Sequence, residues 1–128
     1  MISLNDYKNS KSVKSLVQKM FEARQVAHIH HLQTKSYSQH KALNRFYDKI
    51  LGLTDSFVET YQGQYGILNG YGDINVSDVE IEEYLQDCAK IFMLGKDNMN
   101  EKDTHLKNIL DEVVALTYST IYKIKYLK

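Results

Sequence analysis

The longest helical pattern in the sequence lies between Tyr37 and Gln62, and it constrains the fold more than any other feature. Apolar side chains recur there at steps of three and four residues, the spacing that places them on one face of a helix. They are Leu43, Phe46, Ile50, Leu53, Phe57 and Tyr61. No proline interrupts this stretch or any other part of the chain, so the strongest helix breaker is missing. The sequence therefore predicts an all-α protein built from long helices.

Three further segments repeat the apolar period, which predicts four helices packed as a bundle in one domain over residues 1–128. A serine followed three residues later by glutamine or glutamate marks two of the helix starts, at Ser36 and Ser77. Such pairs satisfy backbone N–H groups that have no partner in the first turn. The predicted helices cover residues 10–33, 37–62, 77–94 and 100–126.

The segment between the second and third helices is rich in glycine and has no helical period. Residues 63–76 read GQYGILNGYGDINV, and Gly63 is the expected stop of the preceding helix. We therefore predict a long crossover loop, and loops of this length in compact domains are often functional. Residues 1–9 are polar and are predicted to form a flexible arm.

The composition argues against several classes of function. Sixteen Lys and Arg residues balance sixteen Asp and Glu residues, so net charge draws the chain neither to nucleic acid nor to an anionic membrane. No apolar run approaches the ~20 residues that span a bilayer. The single cysteine, Cys88, fits a reducing compartment, and we expect a cytoplasmic protein. The sequence contains no phosphate-binding glycine loop, nucleophile elbow or paired CxxC motif.

Histidines and carboxylates in the first half of the chain are the candidates for chemistry. His28 lies near the end of the first helix and His40 near the start of the second, so the two can converge across the turn. Asp55 and Glu59 are one helical turn apart and present their oxygens on one face. Imidazole and carboxylate ligands together suit iron, manganese or zinc. His31 falls on the apolar stripe of the first helix, where it is either a reserve ligand or a core histidine.

The two carboxylates lie about four turns from His40 along the same helix, so one chain cannot bring them to one ion with the histidines. A second copy of the chain is needed for a shared site, and otherwise the carboxylates are an ordinary solvated helix face. Leu51 and Val58 widen the apolar arc of this helix beyond what one packed face needs. We therefore predict a homo-oligomer, at least a dimer.

The order and spacing of the two histidines and two carboxylates resemble the ferroxidase ligands of the Dps-type mini-ferritins. More narrowly, the segments HLQTKSYSQHKALNRFYD and ETYQG are similar to a small phage-borne group of ferritin-like proteins. The chain carries Ile29 and Asn44 where Dps proteins have a tryptophan and often an acidic residue. The resemblance implies a ferritin-like bundle that holds iron between subunits, with the histidines from one and the carboxylates from the other. It also implies a ferroxidase-type oxidoreductase activity.

Two functions from different classes are consistent with these patterns. The first is a metal-binding protein with its site at a dimer interface, with iron, manganese or zinc as the ion. The second is a non-catalytic helical bundle, a small phage accessory protein that binds a host protein or a small ligand. The metal content of untagged protein distinguishes the two.

Overall fold

The computed structural model describes residues 1–128 and is all-α, as the sequence predicts. It has five helices and no strand. They are α1 (Leu4–Ser10), α2 (Val13–Gln33), α3 (Tyr37–Tyr65), α4 (Ile81–Asp97) and α5 (Thr104–Tyr126). Their buried apolar faces meet in one cluster of 24 residues, so the chain has a single core. None of the helices combines the length and the apolar character that a membrane span requires.

The four long helices surround this core in the order α2, α3, α5, α4, and each contacts the next. α3 and α4 do not contact each other, because they lie on opposite sides of the core. The end of α3 meets the start of α5, where Nε2 of His105 donates a hydrogen bond to Oε1 of Gln64 at 2.8 Å. Tyr84, near the start of α4, reaches Glu22 near the middle of α2, whereas Gly95, near the end of α4, packs against Leu16 near the start of α2. Neighbouring helices therefore run antiparallel, and α3 and α4 run in the same direction.

The connection between α3 and α4 runs back along α2 for most of its length. Near the start of α2, Lys14 Nζ donates to the carbonyl oxygen of Gly70 at 3.3 Å. Two turns further along α2, the rings of Phe21 and Tyr71 meet edge to face at 5.9 Å. Val76 then lines a cavity with residues of the last turns of α2. This crossover returns the chain to the end of the molecule at which α3 began, which is why α4 can run parallel to α3.

Several predicted boundaries differ from the observed ones. α2 begins at Val13 rather than at residue 10, and α4 ends at Asp97 rather than at residue 94. α3 continues through Gly63 and ends at Gly66, whose φ of 101° is the left-handed conformation that favours glycine. α4 begins at Ile81 rather than at residue 77, because the Glu80 side chain accepts from two backbone N–H groups and caps the helix itself. α5 begins at Thr104 rather than at residue 100. The crossover therefore spans residues 66–80 rather than 63–76.

The prediction of a flexible arm at residues 1–9 is wrong. Ser3 and Asp6 form a capping box, and Leu4–Ser10 is helical. Tyr7 is only 1% exposed and belongs to the core. The polar residues of this segment face solvent, while one aromatic side chain anchors it. The pattern of a single buried residue in a short helix is too brief to be recognised by periodicity.

Candidate metal centre

The turn between α2 and α3 brings His31 and His40 into contact. Nδ1 of His31 lies 2.7 Å from the carbonyl oxygen of His40, and Nδ1 of His40 lies 2.7 Å from the carbonyl oxygen of His31. The two rings stack with centroids 3.7 Å apart and planes 20° apart. His31 is 8% exposed and completes the apolar stripe of α2, as its position in the sequence predicts. The pair closes the α2–α3 turn.

These reciprocal hydrogen bonds fix the tautomer of both rings. A carbonyl oxygen only accepts, so each Nδ1 carries the hydrogen and donates it. In the neutral rings Nε2 then keeps its lone pair, which is the state that binds a metal. A histidine that ligates a metal usually donates its other ring N–H to an acceptor such as a backbone carbonyl, and this hydrogen bond orients the ring. The tautomer of His40 is therefore the one that leaves Nε2 free to bind a metal.

Two stacked rings are nevertheless poorly suited to sharing one ion. The lone pair of an imidazole nitrogen lies in the plane of its ring, and planes only 20° apart do not direct two lone pairs to a common point. His28 differs, since its plane is tilted by 55° from that of His31, with centroids 6.1 Å apart. His28 also stacks on Tyr47 of α3 at 4.2 Å. The turn thus gathers three imidazoles, of which His31 is the most buried.

Asp55 and Glu59 lie elsewhere. Both are exposed on α3 and take part in no ion pair. Fifteen residues separate His40 from Asp55 on a continuous helix, about 22 Å at the rise of an α-helix. Within one chain, no group of three or more His, Cys, Asp or Glu side chains is arranged to hold a metal ion. The structure therefore places His31, the reserve ligand, against His40, with His28 beside His31, and it leaves the predicted carboxylates apart from these histidines.

His40 contributes to the packing of the α2–α3 turn as well as being a candidate ligand. His40 is half-buried between Tyr37 and His31, and its side chain holds the backbone of α2. The position of His40 on the flank of α3 gives no sign of these contacts, because periodicity along one helix does not reveal which residues the preceding helix places beside it. An alanine at this position removes packing together with the candidate ligand.

Comparison with known proteins gives one match. Residues 31–124 match the model of a family of unknown function, DUF5856, and this segment is well over half of the chain. The chain belongs to the DUF5856 family. No curated protein and no solved structure matches it. Within this DUF5856 member, the matched segment contains His31, His40, Asp55 and Glu59, and His28 precedes it.

A buried polar cluster between α2 and α4 is the feature that the sequence interpretation missed. Lys19 and Glu22 are an ion pair at 2% and 3% exposure, and the hydroxyl of Tyr84 donates to Glu22 Oε2 at 2.6 Å. The backbone of Ile2 completes the cluster, because its N–H donates to Glu22 Oε1 at 2.8 Å and its carbonyl accepts from Lys19 Nζ at 2.6 Å. The signal available in sequence was the i, i+3 spacing of opposite charges beside an apolar stripe.

Burial at this cluster raises the pKa values of Tyr84 and of the adjacent Cys88, so neither is a reactive group at neutral pH. Burial raises the pKa of the Tyr84 phenol far above its ordinary value, with Cys88 and Glu22 acting in the same direction. Burial also raises the pKa of the Cys88 thiol to about 12. Tyr84 and Cys88 therefore stay protonated at neutral pH, and Cys88, which is buried, is a packing residue rather than a nucleophile.

Proposed function

We propose that this DUF5856 protein is a ferritin-like four-helix bundle that binds a transition metal between two copies of the chain. Three features support the bundle: the cyclic order of the four long helices, the parallel direction of α3 and α4, and the crossover that runs the length of α2. A four-helix bundle with one long crossover is the ferritin-like topology. The crossover is the Gly-rich connection of this topology, and its Gly66 and Gly70 have positive φ angles.

The observation that carries the metal proposal is the hydrogen bond from Nδ1 of His40 to the carbonyl oxygen of His31. It leaves Nε2 of His40 as the donor atom and fixes the orientation of the ring. His28 and His40 of one copy, with Asp55 and Glu59 of the other, form the proposed ligand set. His31, whose ring is stacked on His40, acts as a positioning residue rather than as a second ligand to the same ion.

Iron is the first candidate, with manganese and zinc as alternatives, because two imidazoles and two carboxylates suit all three ions. When bound, iron supplies one-electron chemistry toward oxygen or peroxide, which is the basis of a ferroxidase activity. The contribution of the chain is to keep Nε2 of His40 free through the hydrogen bond that Nδ1 makes, and to balance the charge of the ion with two carboxylates. A reducing cytoplasm, in which ferrous ion and the free thiol of Cys88 both persist, is the compartment that fits this assignment.

The proposed dimer also rests on the apolar surface of α3. Leu51 is 40% exposed on this helix, and Val58 is partly buried on the same flank. The two exposed carboxylates lie beside this flank, so a copy that covers Leu51 brings its own histidines toward them. Sedimentation at micromolar concentration tests the assembly, and a single species of 14.9 kDa would refute both the dimer and the shared site.

The decisive experiment changes the carboxylates, because they are exposed and their replacement leaves the fold of one chain intact. Untagged protein, freed of metal by a chelator, is titrated calorimetrically with ferrous ion without oxygen, and separately with manganese and zinc. We expect the double variant Asp55→Asn with Glu59→Gln to bind at least about tenfold more weakly than the native chain, a loss of ~1.4 kcal/mol. Its matched control is Glu83→Gln with Asp87→Asn, an equally spaced pair on α4.

Two results would overturn the metal proposal. One is a native protein that takes up none of the three ions at millimolar concentration. The other is equal affinity in the native chain and the Asp55 and Glu59 variant, which would place any bound metal elsewhere.

The second candidate is a binding bundle without metal chemistry, and the reciprocal His31–His40 hydrogen bonds favour it. Both rings stabilise the α2–α3 turn, which is a sufficient structural reason for their presence. Under this alternative the protein is an accessory module for a host protein or a small ligand. Thermal unfolding distinguishes the two, since saturating metal raises the melting temperature only if the folded state binds it.

A further inference from the structure

A groove between α3 and α5 carries an unbalanced positive charge. Its volume is about 560 Å³, within the range of small-molecule sites. Arg45 and Lys49 of α3 line one part of it. Lys123 lies one helical turn beyond Ser119 on α5, at the end of the groove where antiparallel α3 presents Arg45. Burial lowers the pKa of Lys123, and the charges of Arg45 and Lys49 lower it further. Neither of the two ion pairs of the structure includes any of these three cations.

Arg45 is the clearest sign that the groove receives a ligand. Its Nη1 is buried and has no hydrogen-bond partner. A buried N–H group that lacks an acceptor costs about 1–3 kcal/mol, and more when the group is charged. Placing two further cations beside it adds repulsion. An anion in the groove pairs with the accessible side of the Arg45 guanidinium and neutralises the surrounding positive charge.

The other residues that line the groove indicate which kind of organic group the anion carries. Leu53 and Leu116 give the groove an apolar portion, and Ser119 adds a hydroxyl. Gly52 also lines it, and a Cβ built there meets no atom within 4 Å, so the floor is open at this point. Glu112 lies toward the end away from Arg45, because α3 and α5 run antiparallel. The site is therefore cationic at one end, apolar in the middle and acidic at the other end.

We propose that this groove binds a small phosphate monoester, with the phosphate on Arg45, Lys49 and Lys123 and its organic group along Leu53 and Leu116. A phosphate monoester carries close to two negative charges at neutral pH, which three cations match better than they match a single carboxylate. The planar guanidinium also pairs with two oxygens of one phosphate. This inference is independent of metal binding, since the groove contains none of the proposed ligands.

Phenyl phosphate is the probe, because it joins a dianion to a flat apolar group, and inorganic phosphate and benzoate are the comparison ligands. Each is titrated into the full chain while amide resonances of α3 and α5 are followed by NMR. We expect saturable binding of phenyl phosphate below about 1 mM, weaker binding of inorganic phosphate, and the weakest binding of benzoate. The order of the three ligands tests the two halves of the groove separately.

Variants assign the binding to the groove. Arg45→Gln should weaken phenyl phosphate at least tenfold while the protein stays folded, because the substitution removes a buried charge that has no partner. Lys90→Gln, an exposed cation of α4, is the control and should change nothing. Gly52→Leu fills the open floor and should weaken phenyl phosphate while leaving inorganic phosphate unchanged. Equal affinity in the native chain and in Arg45→Gln, or no saturation by about 10 mM phenyl phosphate, would overturn the proposal.

Discussion

Replacing Gly95 by alanine tests how tightly α2 and α4 pack. Gly95 lies in the last turns of α4 and is buried against Leu16 of α2. A Cβ at this position comes within 2.6 Å and 2.7 Å of the two terminal carbons of Leu16 and 3.1 Å of its Cγ. Leu16 is completely buried, so its side chain has no free space into which to move. The glycine is therefore required by close approach of two helices rather than by its own backbone conformation.

Two effects of opposite sign decide the magnitude. Alanine is better than glycine in the interior of a helix by about 1 kcal/mol. Overpacking a filled core costs about 1–3 kcal/mol, and two contacts below 3.0 Å place this site in the upper part of that range. We expect Gly95→Ala to lower the free energy of unfolding by about 1–2 kcal/mol. Gly52→Ala is the matched control, because Gly52 is exposed in α3 and an added Cβ meets nothing, so this substitution should stabilise by about 0.5–1 kcal/mol.

Urea unfolding followed by circular dichroism at the helical band gives both free energies. A double-mutant cycle adds the mechanism, because Leu16→Ala removes the atoms that clash with the new methyl group. We expect the two substitutions together to cost less than the sum of their separate costs, with an interaction energy of about 1–3 kcal/mol. If Gly95→Ala stabilises the protein as much as Gly52→Ala does, α2 and α4 are further apart than the structure places them.

Three more predictions concern groups whose surroundings are unusual. Tyr84→Phe leaves buried Glu22 without one donor and should cost about 1.5–3 kcal/mol in urea unfolding, whereas Tyr118→Phe on the surface should change the free energy by less than about 0.5 kcal/mol. The Cys88 thiol, whose pKa burial raises to about 12, should resist alkylation at pH 8 until the protein is unfolded. Since an unfolded thiol ionises near 9.0, stability should also fall as the pH rises from 9 toward 12, and rapid labelling of folded protein would contradict both statements. Asp103 accepts hydrogen bonds from Tyr65 and Gln64, which lower its pKa below the ordinary 3.8. Asp103→Asn should therefore lower the free energy of unfolding at pH 7, and the difference in this free energy between variant and native chain should vanish as acid protonates the carboxylate.

Most of the helical architecture could be predicted from apolar spacing, because each long helix buries one face in a common core. The face of α3 shows this: Leu43, Phe46, Ile50 and Phe57 were assigned to it and are fully buried. The starts of α4 and α5 were misplaced because several polar residues in each connection are able to cap a helix. Which one does so depends on tertiary contacts. At α5, for example, the Asp103 carboxylate is engaged by Tyr65 and Gln64 instead of by its own helix.

The candidate site was likewise only partly predictable from the sequence. His31 was placed correctly on the core stripe, but the pair predicted to converge was His28 and His40, whereas the rings in contact are those of His31 and His40. The reciprocal hydrogen bonds between His31 and His40 could not be predicted, because they depend on the backbone geometry of the turn. The Lys19–Glu22 pair was missed for a similar reason. Its burial requires α4 and the N-terminal residues to cover a flank of α2 that appears polar in sequence.

The extent of the family match bears on which residues form one physical unit. The matched segment begins at residue 31 and omits nearly all of α2, yet Leu16, Val17 and Met20 of that helix are fully buried in the common core. Without α2, the apolar faces of α3 and α4 would be open to water, so residues 31–124 do not account for the whole folding unit. His28 belongs to the same unit although it lies outside the match. This matters for the metal proposal, because the two matched histidines at the turn have nearly parallel rings and cannot direct both lone pairs to one ion. A shared site therefore needs His28 as well as His40. We expect His28→Ala to weaken metal binding. His30→Ala is the control, because His30 also lies just outside the match and is not a proposed ligand, and it should leave metal binding unchanged.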